Sequence, residues 1–179
     1  MSEQQDADVI VVGGGAAGLA CALALAQGGQ SVIVLDAKTV ERRADPEFDG
    51  RAYAIAATSR RCLQALGVWD RVADRAQAFS AIEIHDGRLG DPGPVRLRFD
   101  GEAVDDAPFA ALIEDRFLRG ALLDAVAAEP RIDHRSPVAV AGMTAEGGRA
   151  RVTLADGGSL TSALVVAADG RRSPLAAAA

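Results

Sequence analysis

Apolar and polar positions recur with different periods along this chain, and each change of period marks an element. The first run, "DVIVVGGGAAGLACALALA", carries no charge or strongly polar side chain over the eighteen residues from Val9 to Ala26. Its opening, "DVIVV", is short, continuous and β-branched, as a strand buried on both faces should be. Its end, "AAGLACALALA", consists of helix formers. Between them stand Gly13, Gly14 and Gly15, which are poor interior residues for one continuous helix. The run is long enough to raise the question of a membrane-spanning helix. The glycines and the acidic flank "MSEQQDAD" oppose that reading. A strand, a glycine turn and a helix are expected.

The pattern continues in kind. "GGQ" at 28–30 stops the helix, and "SVIVLD" is a second buried strand ending in Asp36. Residues 37–50 form a polar loop punctuated by Pro46 and Gly50. "TSRRCLQALGVWDRV" predicts a helix capped by Thr58 or Ser59, with Cys62, Leu63 and Leu66 on one face and Gly67 at its end. "AFSAIEIHDG" and "VRLRFD" alternate apolar and polar residues around "GRLGDPGP", an antiparallel hairpin signature. "DRFLRGALLDAVAAEP" predicts a helix that buries Phe117, Leu118, Ala121, Leu122 and Ala125 and stops at Pro130. The remainder reads as a meander of strands joined by "EGG" and "DGG" turns, closing on the apolar "ALVVAA". The expected fold is α/β: a Rossmann-like βαβ layer with an inserted antiparallel sheet. Residues 1–78 form the βαβ region, 79–110 the inserted hairpin, and 111–179 the return to the first layer.

Gly13, Gly15 and Gly18 fit GxGxxG. The first glycine makes the tight turn, the second lets the backbone approach a pyrophosphate, and the third lets helix and strand pack closely. Asp36 follows Gly18 by 18 residues, where the fingerprint places an acid that accepts bonds from a ribose diol. An ordinary βαβ unit with a glycine turn would explain the folding pattern but not this acid. Asp169-Gly170 follows the last apolar strand, at a strand's carboxyl end, where ligands sit in parallel α/β sheets.

Composition removes other classes. With 49% hydrophobic and 25% charged residues the chain is globular rather than disordered. A net charge of −6 argues against a nucleic-acid partner, because Arg42–Arg43 and Arg171–Arg172 are only local pairs. Two cysteines, Cys21 and Cys62, make no disulfide framework or metal motif and are expected to be buried, inert thiols. No signal peptide is apparent, so a cytoplasmic protein is expected. His85 and His134 read as solvated or satisfied histidines, and Tyr53 either faces an active site or packs in the core.

The segments "VVGGGAAGLACALALAQGG", "VIVLD", "DGRAYAIAATSRRCLQALGVWD", "LIEDRFLRGALLDAV" and "LVVAADGRRSP" stand in an order that resembles the flavoprotein aromatic hydroxylases of the p-hydroxybenzoate hydroxylase type. The "GRAYAIAATSRRCLQALGVW" block is most similar to the ubiquinone-biosynthesis branch, which oxidises polyprenylated phenols. The resemblance implies FAD as cofactor, NAD(P)H as electron donor, and an aromatic substrate hydroxylated with molecular oxygen. By position, Gly13, Gly15, Ala17 and Gly18 match the turn that receives the FAD pyrophosphate, and Asp36 the acid on its ribose. Arg51 matches an arginine that reaches the flavin nucleotide, and Asp169 and Gly170 match the family's Asp-Gly motif. Where the family shows an amide or arginine, this chain has Asp115, which would repel a phosphate, and Arg116 is the substitute contact. No catalytic side chain and no metal ligand is identified. Members of the family are longer, so the resemblance implies a C-terminally truncated fold that would not turn over substrate alone. A polyprenylated substrate would imply peripheral contact with a membrane.

Other readings remain open. An epoxidase, halogenase or isoprenoid reductase shares this fold and cofactor, an NAD-dependent dehydrogenase shares the glycine fingerprint, and a truncated, non-catalytic nucleotide-binding or scaffold domain would serve by its fold or its interfaces.

Overall fold

The computed structural model describes residues 5–40, 47, 49–101, 108–171 and 173–175. Arg42, Arg43, Pro46, Arg172 and the terminal alanines therefore lie outside the described residues. The main sheet has six strands in the order β8-β2-β1-β11-β10-β9. They are β1 (Ala7–Val12), β2 (Val32–Leu35), β8 (Ile132–Arg135), β9 (Val140–Glu146), β10 (Arg149–Leu154) and β11 (Ser159–Ala167). β8, β2, β1 and β11 run parallel to one another, while β11, β10 and β9 form an antiparallel meander.

From Val9 to Val12 and from Val32 to Leu35 the strand residues alternate between two cores, as a period of two requires. Val9, Val11, Val32 and Val34 pack into one cluster with α1 (Ala16–Gln27) and α3 (Asp115–Ala128). Ile10, Val12, Ile33 and Leu35 pack into the other, with Val152, Leu160 and Leu175. Both faces are therefore covered, which explains a continuous β-branched run in place of alternation. The glycine turn between β1 and α1 falls where the sequence places it.

Two smaller sheets lie outside this layer. β3 (Ala52–Ala56), β7 (Ala110–Glu114) and β4 (Gln77–Phe79) form a three-stranded antiparallel sheet with β7 in the centre. β5 (Ala81–His85) and β6 (Val95–Asp100) form the expected hairpin. The "AF" of "AFSAIEIHDG" belongs to β4, which pairs with β7 and not within the hairpin.

Three local expectations are corrected. The helix α2 (Ala57–Ala65) begins at Ala57 with Ala56 as its N-cap, so neither Thr58 nor Ser59 caps it. The Ala57 amide donates to the Phe109 carbonyl, so the segment just before β7 satisfies that amide of the helix start. Cys62 is exposed and Cys21 only half-buried, because the buried side of α2 carries Ala57 and Leu63 instead. Burial still pushes the Cys21 thiol up from its ordinary pKa. Phe117 is half-buried, lying between the Arg75 and Arg116 guanidiniums, while Leu118, Ala121, Leu122 and Ala125 are buried as expected. No helix among the described residues is long and apolar enough to cross a membrane.

Candidate functional site

A cleft of about 450 Å³ opens at the carboxyl ends of β1, β2 and β11. Its walls include Gly13, Gly15, Asp36, Lys38, Val138, Ala168, Asp169 and Gly170, with Leu175 closing one side. The volume falls within the ~300–1,000 Å³ usual for small-molecule sites. The position is the one that parallel α/β sheets offer to ligands, because strand ends and helix starts meet there.

The floor is backbone. Gly13 has φ +115°, a conformation that L side chains rarely adopt, and a Cβ on it would lie 2.6 Å from the Ala168 carbonyl carbon. A Cβ on Gly18 would run into the Gly13 carbonyl oxygen, so α1 crosses the turn at a distance only glycine permits. Gly15 differs from both. It is the N-cap of α1, in extended conformation, and a Cβ there would meet nothing within 4 Å. No side chain caps the helix, and its first turn holds no acid. The orphan amides of that turn and the positive end of the helix dipole are thus available to an anion.

Asp36 is only 2% exposed and sits one residue past β2. Its Oδ1 accepts the Lys38 amide at 3.1 Å, its own amide donates to the Arg135 carbonyl, and its carbonyl accepts the Val138 amide. On the other side of the turn, Asp169 Oδ1 is buried and has no hydrogen-bond partner among the described residues. A buried acceptor left so costs about 1–3 kcal/mol, so a donor from a bound molecule is the natural complement. Two carboxylates and a run of bare amides suit a ligand that presents both hydroxyls and a phosphate.

Arg51 and Arg116 are not brought to this cleft. Arg51, whose side chain is 55% exposed, contacts Asp49 Oδ2 at 2.6 Å and Asp115 Oδ2 at 2.9 Å. Its hydrogen bond holds the Asp49 carboxyl below the usual range and pushes the Arg51 guanidinium up, with burial opposing in each case. Arg116 donates to Glu114 Oε2 at 2.6 Å and lies 4.7 Å from the centre of the Phe117 ring. Asp115 is engaged within the protein. It is 4% exposed, accepts from Tyr53 at 2.8 Å, and also pairs with buried Arg119 one helical turn on. Three cationic or hydroxyl donors around one carboxylate explain why it tolerates burial. Ala17 lies in the first turn of α1, is exposed, and does not line the cleft.

Sequence reasoning missed the wall formed by Val138, Ala139 and Val140. Val138 and Ala139 enter from the connection after β8 and Val140 opens β9, about a hundred residues beyond Asp36, and no local motif marks them.

The chain belongs to the FAD binding domain family, whose model matches residues 6–179. It is 34% identical over 172 residues to a ubiquinone hydroxylase, UbiL, of Rhodospirillum rubrum, covering 96% of this chain and 39% of that protein. It is 31% identical to the 3-demethoxyubiquinol 3-hydroxylase of Escherichia coli, covering 94% and 42% respectively. The chain thus spans about two fifths of the length of these curated relatives. Among solved structures, p-nitrophenol 4-monooxygenase PnpA of Pseudomonas putida superposes with a TM-score of 0.72 at 23% identity, over 92% of this chain and 41% of that one. The flavin-dependent monooxygenase PieE, solved with FAD and substrate, gives 0.72 at 21% identity, over 95% and 31%. These two likenesses show the fold.

Proposed function

We propose that the protein carrying this chain is an FAD- and NAD(P)H-dependent monooxygenase that hydroxylates an electron-rich aromatic ring, with a phenol of the ubiquinone pathway as substrate. The cofactor half of this reading is carried by Asp169 Oδ1, a buried acceptor without a partner on the rim of a cleft floored by glycine backbone. The substrate half draws support from hydroxylase relatives at 31–34% identity.

In this reading the turn at Gly13, Gly15, Ala17 and Gly18 receives the diphosphate through backbone amides, and Asp36 accepts from the adenosine ribose. Asp169 and Gly170 hold the hydroxyl-bearing stretch towards the flavin. When bound, FAD supplies the two-electron and oxygen chemistry. The chain's own residues bind it, orient it and keep water from one face. Arg51 is proposed as a nucleotide contact from the second sheet, since more than half of its side chain stays exposed. Arg116, engaged by Glu114 and Phe117, is the weaker candidate.

The division at 78 and 110 belongs to the same proposal. What supports it is that the β5–β6 hairpin, Ala81 to Asp100, lies between those bounds. A polyprenylated substrate would bring the enzyme to a membrane surface. The 179 residues alone are proposed to bind FAD without turning substrate over.

The test is NAD(P)H-dependent oxygen uptake by the full-length protein with a polyprenylphenol, with product mass read alongside. A product heavier by one oxygen atom on the ring supports hydroxylation. An epoxide, a halogenated ring or a product reduced without oxygen consumption would replace it with another chemistry of this fold.

A further inference from the structure

Gly14 occupies a variable position of the glycine fingerprint, so nothing in that motif requires it to be glycine. The structure supplies a reason. A Cβ built on Gly14 would lie 2.8 Å from both Cβ and Cγ of Asp36 and still closer to Oδ2. Real side chains do not pack at such distances, so one of the two residues would have to move.

Asp36 has little freedom to yield. It is 2% exposed, its Oδ1 is held by the Lys38 amide, and its backbone is pinned on both sides by Arg135 and Val138. Its side chain is also short, so displacing the carboxylate means rotating about χ1 or shifting the end of β2. The alternative is to push the turn away from β2, which moves the amides that floor the cleft. Either movement changes the relation between the carboxylate and the turn.

We infer that Gly14 is a positioning residue: by lacking a side chain it lets the Asp36 carboxylate stand directly against the glycine turn, fixing the spacing between sugar acceptor and diphosphate amides. The inference rests on the proposed role of Asp36 and deepens it. The Lys38 amide orients the Asp36 carboxylate beside the turn. The selected ligand class is an adenosine diphosphate with an unmodified ribose, held at two points whose separation Gly14 sets.

The experiment is a double-mutant cycle on the full-length protein, reading FAD dissociation constants by flavin fluorescence and the Lys38 amide shift by NMR. Gly14→Ala is expected to weaken FAD by about tenfold, the loss of roughly one charge-assisted hydrogen bond, and to move the Lys38 amide resonance. In an Asp36→Gly background the same substitution is expected to change affinity less than about twofold, since the obstructing atoms are gone. Should Gly14→Ala fail to fold, the Asp36→Gly background must restore folding, and failure to do so overturns the inference. It is also overturned by unchanged affinity in Gly14→Ala, or by an equal loss in both backgrounds. A separate Asp36→Asn variant keeps the two readings apart. If that variant binds FAD normally, the sugar-acceptor role of Asp36 fails. If it binds weakly while Gly14→Ala binds normally, only the positioning role fails.

Discussion

The Tyr53 hydroxyl donates to Asp115 Oδ1 across 2.8 Å and so ties strand β3 to the first residue of helix α3. Burial, followed by that hydrogen bond, pushes the Tyr53 phenol above its ordinary pKa. A group with a raised folded pKa contributes stability in full below its unfolded value, about 10 for tyrosine. That contribution is lost as pH rises through the folded value. The folded chain should therefore lose stability in the alkaline range above about pH 10, and Tyr53→Phe should flatten that limb. Tyr53 is the only tyrosine in the chain, so phenolate absorbance follows it directly. Its midpoint should lie above that of free tyrosine, and a midpoint at or below the free value would contradict the arrangement.

Asp115→Ala should destabilise the chain strongly. It leaves Arg119, itself 7% exposed, without its carboxylate inside the core. Breaking one side of a buried pair costs about 3–5 kcal/mol. Chemical denaturation should show that drop in Asp115→Ala, and a smaller one in a double variant that also replaces Arg119 by Met. A loss below about 1 kcal/mol would mean the pair is solvated.

Gly18→Ala forces a methyl group into the Gly13 carbonyl. Overpacking of this kind costs about 1–3 kcal/mol, and FAD affinity should fall with it because the same carbonyl shapes the cleft floor. Thermal unfolding without and with FAD separates the two effects. A variant as stable as the parent would show that the helix crosses the turn less closely than described.

Asp169→Ala should behave in the opposite sense. The buried, unpartnered Oδ1 costs the unliganded chain stability, so removing it should leave the melting temperature unchanged or raised. FAD affinity should fall all the same. Equal losses in stability and affinity would mark Asp169 as a folding residue only.

The first βαβ unit was legible because its signals are local: a β-branched run, a glycine turn, helix formers, and an acid at the next strand's end. The hairpin of β5 and β6 was legible for the same reason. Its alternation places Ile82, Ile84, Leu97 and Phe99 on one face, all near half exposed. The sheet of β3, β4 and β7 was not. β3 reads "AYAIA", where alanine gives no strand preference, and its partner β7 lies over fifty residues away. Long-range pairing decided those elements, and the same pairing brings Tyr53 to Asp115, which is an ionic anchor in the core. The cleft divided along the same line. Asp36, Asp169 and the glycines announce themselves by motif, whereas Val138 and Leu175 join them only through folding.

The most direct test of the account is calorimetric titration of FAD into the purified chain, with and without Asp36→Ala. Saturable one-to-one binding that raises the melting temperature, weakened about tenfold or more by the substitution, is the predicted result. Absence of binding, or binding indifferent to Asp36, would contradict it.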